Sequence, residues 1–121
     1  MPVRPFWFTD TVALAANGSG TARFAVAAGE VARFKKLHYT STSTFNVTTI
    51  RDDAGQRYTN ASADDPLTSA LLRNTANAYN TVYEFDPPIT VEGPGGLNIE
   101  LTDTSGAANT VRLVVAGEKE T

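Results

Sequence analysis

Between Pro87 and Gly117 apolar and polar residues alternate in three successive runs, with turn residues between them. Ile89 and Val91 make the first apolar set, Leu97, Ile99 and Leu101 the second, and Val111, Leu113 and Val115 the third. Glu92-Gly93-Pro94-Gly95-Gly96 and the stretch from Thr102 to Asn109 separate them. Side chains two apart share one face of a strand, so each set marks a buried face, with Asn98, Glu100, Arg112 and Val114 on the opposite one. The spacing predicts three strands paired in sequence, an antiparallel meander.

Upstream the same period recurs. Val12 and Leu14 alternate within 11–16, and Ala22, Phe24 and Val26 alternate within 21–27. The Asn17-Gly18 pair between them is a hairpin signal, because both residues tolerate positive φ, and it predicts that these two strands pair. Val31, Phe34, Leu37 and Tyr39 fall in one stretch, 31–40, read as a strand with a bulge. Phe45, Val47 and Thr49 alternate next, and Asp52-Asp53-Ala54-Gly55 turns the chain into a return strand over 56–59 with Tyr58 inward.

From Asn60 to Ala78 the alternation fails. There Asp65 is placed to cap a short helix, with Pro66 at its first position and Leu67, Leu71 and Leu72 following. Tyr79 to Phe85 resumes the strand pattern, and Pro87-Pro88 is expected to break it.

About eight strands at this spacing predict an all-β fold, an antiparallel β-sandwich that is jelly-roll-like. An immunoglobulin-like sandwich is the second choice, since its paired cysteines and central-strand tryptophan are missing. Pro5-Phe6-Trp7-Phe8 carries the one tryptophan and two of the six phenylalanines. Such density needs a surface to bury against, either the chain's own core or a neighbouring subunit. The expected division is an N-terminal aromatic arm over 1–9, one sandwich domain over 10–117 and a loose polar tail over 118–121.

At 121 residues the chain suffices for one core, and with no cysteine it holds that core without disulfides or thiolate metal sites. Thirteen acidic and 10 basic residues give a net charge of -3, with no basic run beyond Lys35-Lys36. A nucleic-acid partner is therefore not expected, since phosphates call for a basic stripe. No apolar run approaches the ~20 residues of a membrane span, and Met1-Pro2-Val3-Arg4 leads into no signal-peptide core, so neither membrane insertion nor export is expected.

Candidate chemistry is sparse. His38 is the one histidine, and no Gly-x-Ser-x-Gly elbow presents a nucleophile beside it. Asp52, Asp53, Glu84, Asp86, Glu92, Glu100 and Asp103 are the carboxylates from which a glycosidase pair would come, but most sit at turns. Asp52, Asp53, Asp64 and Asp65 would have to gather to hold calcium, at a spacing that matches no EF-hand. Trp7, Tyr39, Tyr58, Tyr79 and Tyr83 are the rings that would stack on sugars, although their alternating positions favour packing. No enzyme, metal or cofactor is expected.

The closing motif runs from Tyr83-Glu84-Phe85-Asp86-Pro87-Pro88 through Ile89-Thr90-Val91, Leu97-Asn98-Ile99-Glu100-Leu101 and Val111-Arg112-Leu113-Val114-Val115. Together with Phe45-Asn46-Val47-Thr48-Thr49-Ile50-Arg51-Asp52 and Gly55-Gln56-Arg57-Tyr58 it resembles small β-sandwich virion proteins of bacteriophages. That resemblance implies a decoration, vertex or minor capsid or tail protein without catalytic residues. It would reside in the virion as a homo-oligomer bound to other virion proteins such as the major capsid protein. Phe6, Trp7, Phe8, Leu67, Leu71 and Leu72 are the expected contact residues. The alternative is a carbohydrate-binding module on the same fold.

Overall fold

The computed structural model describes residues 2–72 and 82–121. Eight strands occur among them: β1 (Val3–Leu14), β2 (Ser19–Val26), β3 (Val31–Ser41), β4 (Phe45–Asp52), β5 (Leu67–Thr68), β6 (Val82–Glu92), β7 (Gly95–Asp103) and β8 (Asn109–Glu120). They form two antiparallel four-stranded sheets, one in the order β1-β8-β3-β6 and the other β2-β7-β4-β5. The pairs β1 with β8, β2 with β7, β3 with β6 and β4 with β5 nest like one long hairpin rolled on itself, which is the jelly roll.

The period-2 reading of faces holds in β7 and β8, and the expected bulge in β3 lies between Phe34 and Lys36, but β4 departs from it, since a bulge between Val47 and Thr49 puts Ile50 rather than Thr49 in the core. Leu97, Ile99 and Leu101 of β7 and Val111, Leu113 and Val115 of β8 are fully buried, as are Phe34 and Leu37 of β3. Between the sheets the rings of Phe8, Phe24 and Phe34 pack together, Phe8 and Phe34 with centroids 4.7 Å apart, and Phe24 6.3 Å from Phe34. Tilted and edge-on rings of this kind let the two layers interlock rather than slide.

Which strands pair differs from the sequence reading. The closing segment is not a meander, because β6, β7 and β8 alternate between the sheets and none pairs with its successor. Likewise β1 and β2 lie in opposite sheets, and Asn17, at φ 57, turns the chain across the sandwich rather than into a hairpin. Gly20 of β2 packs so close to β1 that a Cβ there would lie 2.6 Å from Val12. The expected return strand at 56–59 is reduced to one bridge, between Arg51 and Arg57.

Pro87-Pro88 does not end a strand either. It lies inside β6, an edge strand, at the break in register between Glu84 and Ile89, where the ladder to β3 is interrupted and neither proline is called on for a ladder N–H. No helix starts at Asp65-Pro66. Leu67–Thr68 is β5, and up to Leu72 the local bonds are those of a single turn, from the Leu71 and Leu72 amides to the Thr68 carbonyl. The expected strand residues Tyr79 to Thr81 lie outside the described residues.

The expected arm over 1–9 is no separate element, because residues 3–9 are the first half of β1 and pair with β8 without a break in register. The tail is likewise strand as far as Glu120, and the Thr121 amide donates to the Pro2 carbonyl at 3.3 Å. The two ends of the chain template each other. Lys119 fixes this corner, with its ammonium 3.9 Å from the centre of the Phe6 ring and 3.2 Å from the Glu30 carboxylate.

Candidate interaction surface

Every second residue of β1 points out of the sandwich. That parity separates the aromatic cluster of the N-terminus: Phe8 is buried, Phe6 packs against the core, and Trp7 is 59% exposed. Trp7 lies opposite Ala116 of β8, and across that strand its ring stacks at 5.5 Å, tilted by 34°, on the His38 imidazole of β3. Pro5, Trp7, Lys35, Lys36, His38 and Gly117 with Ala116 line a shallow groove of about 370 Å³ on this face. Gly117 is required at its floor, because a Cβ there would lie 1.9 Å from the Arg33 carbonyl at the β3 bulge.

Below the groove the face turns ionic. Glu118 lies between Arg33 and Lys35 and pairs with both, and Arg33 also reaches Glu120 at 3.1 Å. The Lys35 ammonium, acting first as a hydrogen-bond donor, holds the Glu118 carboxyl below its usual range. Partial burial lowers the His38 pKa below 6.5, and the nearby Lys36 charge adds to this, so the imidazole beside Trp7 is neutral at pH 7. We expect an NMR titration to place His38 below 6.5, and Lys36→Glu to move it upward. Because the folded value is the lower one, this group's share of stability is complete above pH 6.5 and is lost as pH falls below it.

The other expected contact residues divide in the same way. Leu71 is 62% exposed, Leu67 is half-buried against the core, and Leu72 is 1% exposed. Phe8 and Leu72 therefore belong to the interior and have no free surface to offer a partner. Of the rings considered for sugar stacking, Tyr39 is buried with its hydroxyl donating to the Ser69 carbonyl at 2.6 Å. Tyr58 is half-buried and donates to Asp52, and its pKa is raised to about 12 by burial and by that carboxylate. Tyr83 is exposed at the β6 edge, against Phe85, and Tyr79 lies outside the described residues. A second cleft, about 530 Å³, opens between β6 and residues 56–59 and is lined by Tyr58, Leu67 and Tyr83.

Four of the seven carboxylates considered for catalysis are occupied in structural roles. Asp52 accepts from the Gln56 amide at 2.9 Å, and Asp53 is held by Arg23 at 2.6 Å and Asn98 at 2.8 Å. Glu100 pairs with Arg51 at 2.9 Å. Asp103 is buried and accepts five hydrogen bonds, from Asn17, Gly106 and Asn109 and twice from Ser105. Glu84, Asp86 and Glu92 stand exposed along β6. Asp64 and Asp65 do not join Asp52 and Asp53, and among the described residues no three His, Cys, Asp or Glu side chains gather as a metal site.

No family model matches the chain, and no curated protein does. Among solved structures it aligns with the Drosophila NLP core, a structure described in terms of pentamer formation and histone binding. The identity is 13% over 94% of this chain and 99% of that one, with a TM-score of 0.39.

Proposed function

We propose that the chain is a non-enzymatic structural protein of a bacteriophage particle, a decoration, vertex or minor capsid or tail protein. It works through contacts with further copies of itself and with virion proteins such as the major capsid protein. The observation that carries this reading is Trp7, the one tryptophan, held 59% exposed on an otherwise well-filled sandwich. An exposed indole on a rigid strand is a ready anchor for a protein contact, since such anchors supply most of the energy where they are buried on binding. The jelly roll is also used by viral capsid domains, although a fold alone does not choose a function.

The test is native mass by light scattering coupled to size exclusion, at micromolar concentration. The expected result is a discrete multiple of the 12.9 kDa chain. A monomer at every concentration tried overturns self-association. The same Trp7–His38 pair supports a second reading, a carbohydrate-binding module, because a flat exposed ring beside polar groups also suits a sugar. A saturable change in tryptophan fluorescence on adding polysaccharide would favour that reading, and its absence counts against it.

A further inference from the structure

Four strands lie at sheet edges, and three of them are blunted. β6 carries Pro87 and Pro88, β5 is two residues long, and in β2 the Arg23 amide is capped by the Asp10 carboxylate at 2.8 Å. β1 is the longest of the four, 12 residues, and Pro5 and the capped Thr11 amide blunt only part of it. The hydrogen-bond parity shows which of its groups are free. The Thr121 amide donates to Pro2, and the Thr42 amide to Thr110, so the even residues of β1 face β8 and the odd ones face outward. Thr11, an odd residue, accordingly has its amide capped by Asp10 at 2.9 Å rather than by β8. Pro5, which has no N–H, also falls at an outward position, so the outward amides of Val3, Trp7, Thr9 and Ala13 are the ones left uncapped among the described residues.

We propose that this edge is the self-association site, and that β1 pairs antiparallel with β1 of a second copy about a two-fold axis through Trp7. The inference rests on the reading that the chain assembles with itself, and it names the surface. An unpaired edge is a template for another strand, and a two-fold contact must be self-complementary. Outward-facing backbone groups restrict the pairing to registers that place odd residues opposite odd ones, and the charges choose among these. With Trp7 opposite Trp7 of the second copy, Arg4 falls opposite Asp10 and Asp10 opposite Arg4. Shifting the sum of paired positions by two in either direction places Arg4 opposite Phe8 or Val12 and loses both pairs. Arg4 is exposed and forms no ion pair among the described residues, so it is available for this contact. In the same register the two Trp7 side chains meet on the outer face, and the Thr9 amide of each copy donates to the Pro5 carbonyl of the other.

The chain has no cysteine, so single-cysteine variants read the register directly. Trp7→Cys should give a disulfide-linked dimer under mild oxidation, and Thr11→Cys should not, because its own copy lies eight residues away along the pair. Thr9→Pro removes an outward amide that no bond among the described residues uses, and should raise the dimer dissociation constant at least tenfold with an unchanged far-UV circular dichroism spectrum. Linking through Thr11→Cys but not Trp7→Cys overturns the register. An oligomer that survives Thr9→Pro, with Trp7→Cys unlinked, overturns the β1 interface while leaving self-association standing. A wild-type monomer that links through neither cysteine overturns both.

Discussion

Replacing Asp103 with Asn is expected to lower the thermal midpoint by on the order of 10 °C, more than any other single polar substitution in the chain. Asp103 ends β7 with 2% of its surface exposed, and each of its oxygens is already occupied. Oδ1 accepts from the Ser105 hydroxyl at 2.6 Å, the Ser105 amide at 3.0 Å and the Asn109 side chain at 3.1 Å, while Oδ2 accepts from the amides of Asn17 at 2.9 Å and Gly106 at 3.0 Å. Asn109 extends the network to the Thr44 carbonyl at 2.8 Å and the Ser43 amide at 3.1 Å. Three connections at one end of the sandwich, β1 to β2, β3 to β4 and β7 to β8, are thereby tied through one carboxylate. An Asn in its place turns an NH₂ group toward N–H donors whichever way its amide is flipped, leaving buried donors without acceptors.

The same carboxylate gives the fold an acid sensitivity. The Ser105 hydroxyl, ahead of the amides of Asn17 and Ser105, holds the Asp103 carboxyl far below its ordinary 3.8, against the opposing effect of burial. A folded value below the unfolded one means that the contribution is complete above pH 3.8 and is lost as pH falls through and below it. Thermal melts of wild type and Asp103→Asn from pH 7 to pH 2 should therefore converge at the acid end. Curves that stay parallel throughout would remove Asp103 as the origin of the effect.

Phe34→Ala is the second large effect, with an expected loss of about 3–5 kcal/mol. Phe34 is fully buried at the centre of the aromatic layer, 4.7 Å from Phe8 and 6.3 Å from Phe24, so truncation opens a cavity between two sheets that cannot both collapse into it. That loss approaches the whole stability of a domain this size, roughly 5–15 kcal/mol, so Phe34→Leu serves as the measurable companion, with a smaller loss in the same direction. Trp7→Ala is the control. It removes a larger ring but one that already stands in water, and urea unfolding should place its cost below about 1 kcal/mol. Equal losses at Trp7 and Phe34 would contradict the assignment of one ring to the surface and the other to the core.

These two aromatic positions also show how far the sequence reaches. Strict alternation through Phe6, Trp7, Phe8, Thr9 and Asp10 already places Trp7 on the face opposite both phenylalanines. Treating residues 5–8 as one aromatic block, rather than as part of a strand beginning at Val3, conceals this. Leu71 and Leu72 gave no comparable signal, since in the turn after β5 no period applies and only packing puts Leu72 inside and Leu71 out. Asp103 was visible as one carboxylate among seven. Its role was not, because its partners Asn17, in the turn after β1, and Asn109, at the start of β8, come from different parts of the chain and nothing in the spacing brings them together.

By itself the sequence determined that the chain is built of strands, and which side of the unbulged ones faces inward: Leu97-x-Ile99-x-Leu101 and Val111-x-Leu113-x-Val115 are buried where the period says, whereas the bulge in β4 puts Ile50 inside in place of Thr49. Side-chain alternation is a property of a single strand, and a two-residue period holds until a bulge shifts its phase. Only the tertiary structure decided who the neighbours are. Period 2 carries no information about pairing, so the same pattern suits a meander and a jelly roll equally well. The roll follows when each strand's apolar face must meet another sheet rather than the next strand. From it come the placement of β8 between β1 and β3, the free outer edge of β1 and the gathering of three turns on Asp103.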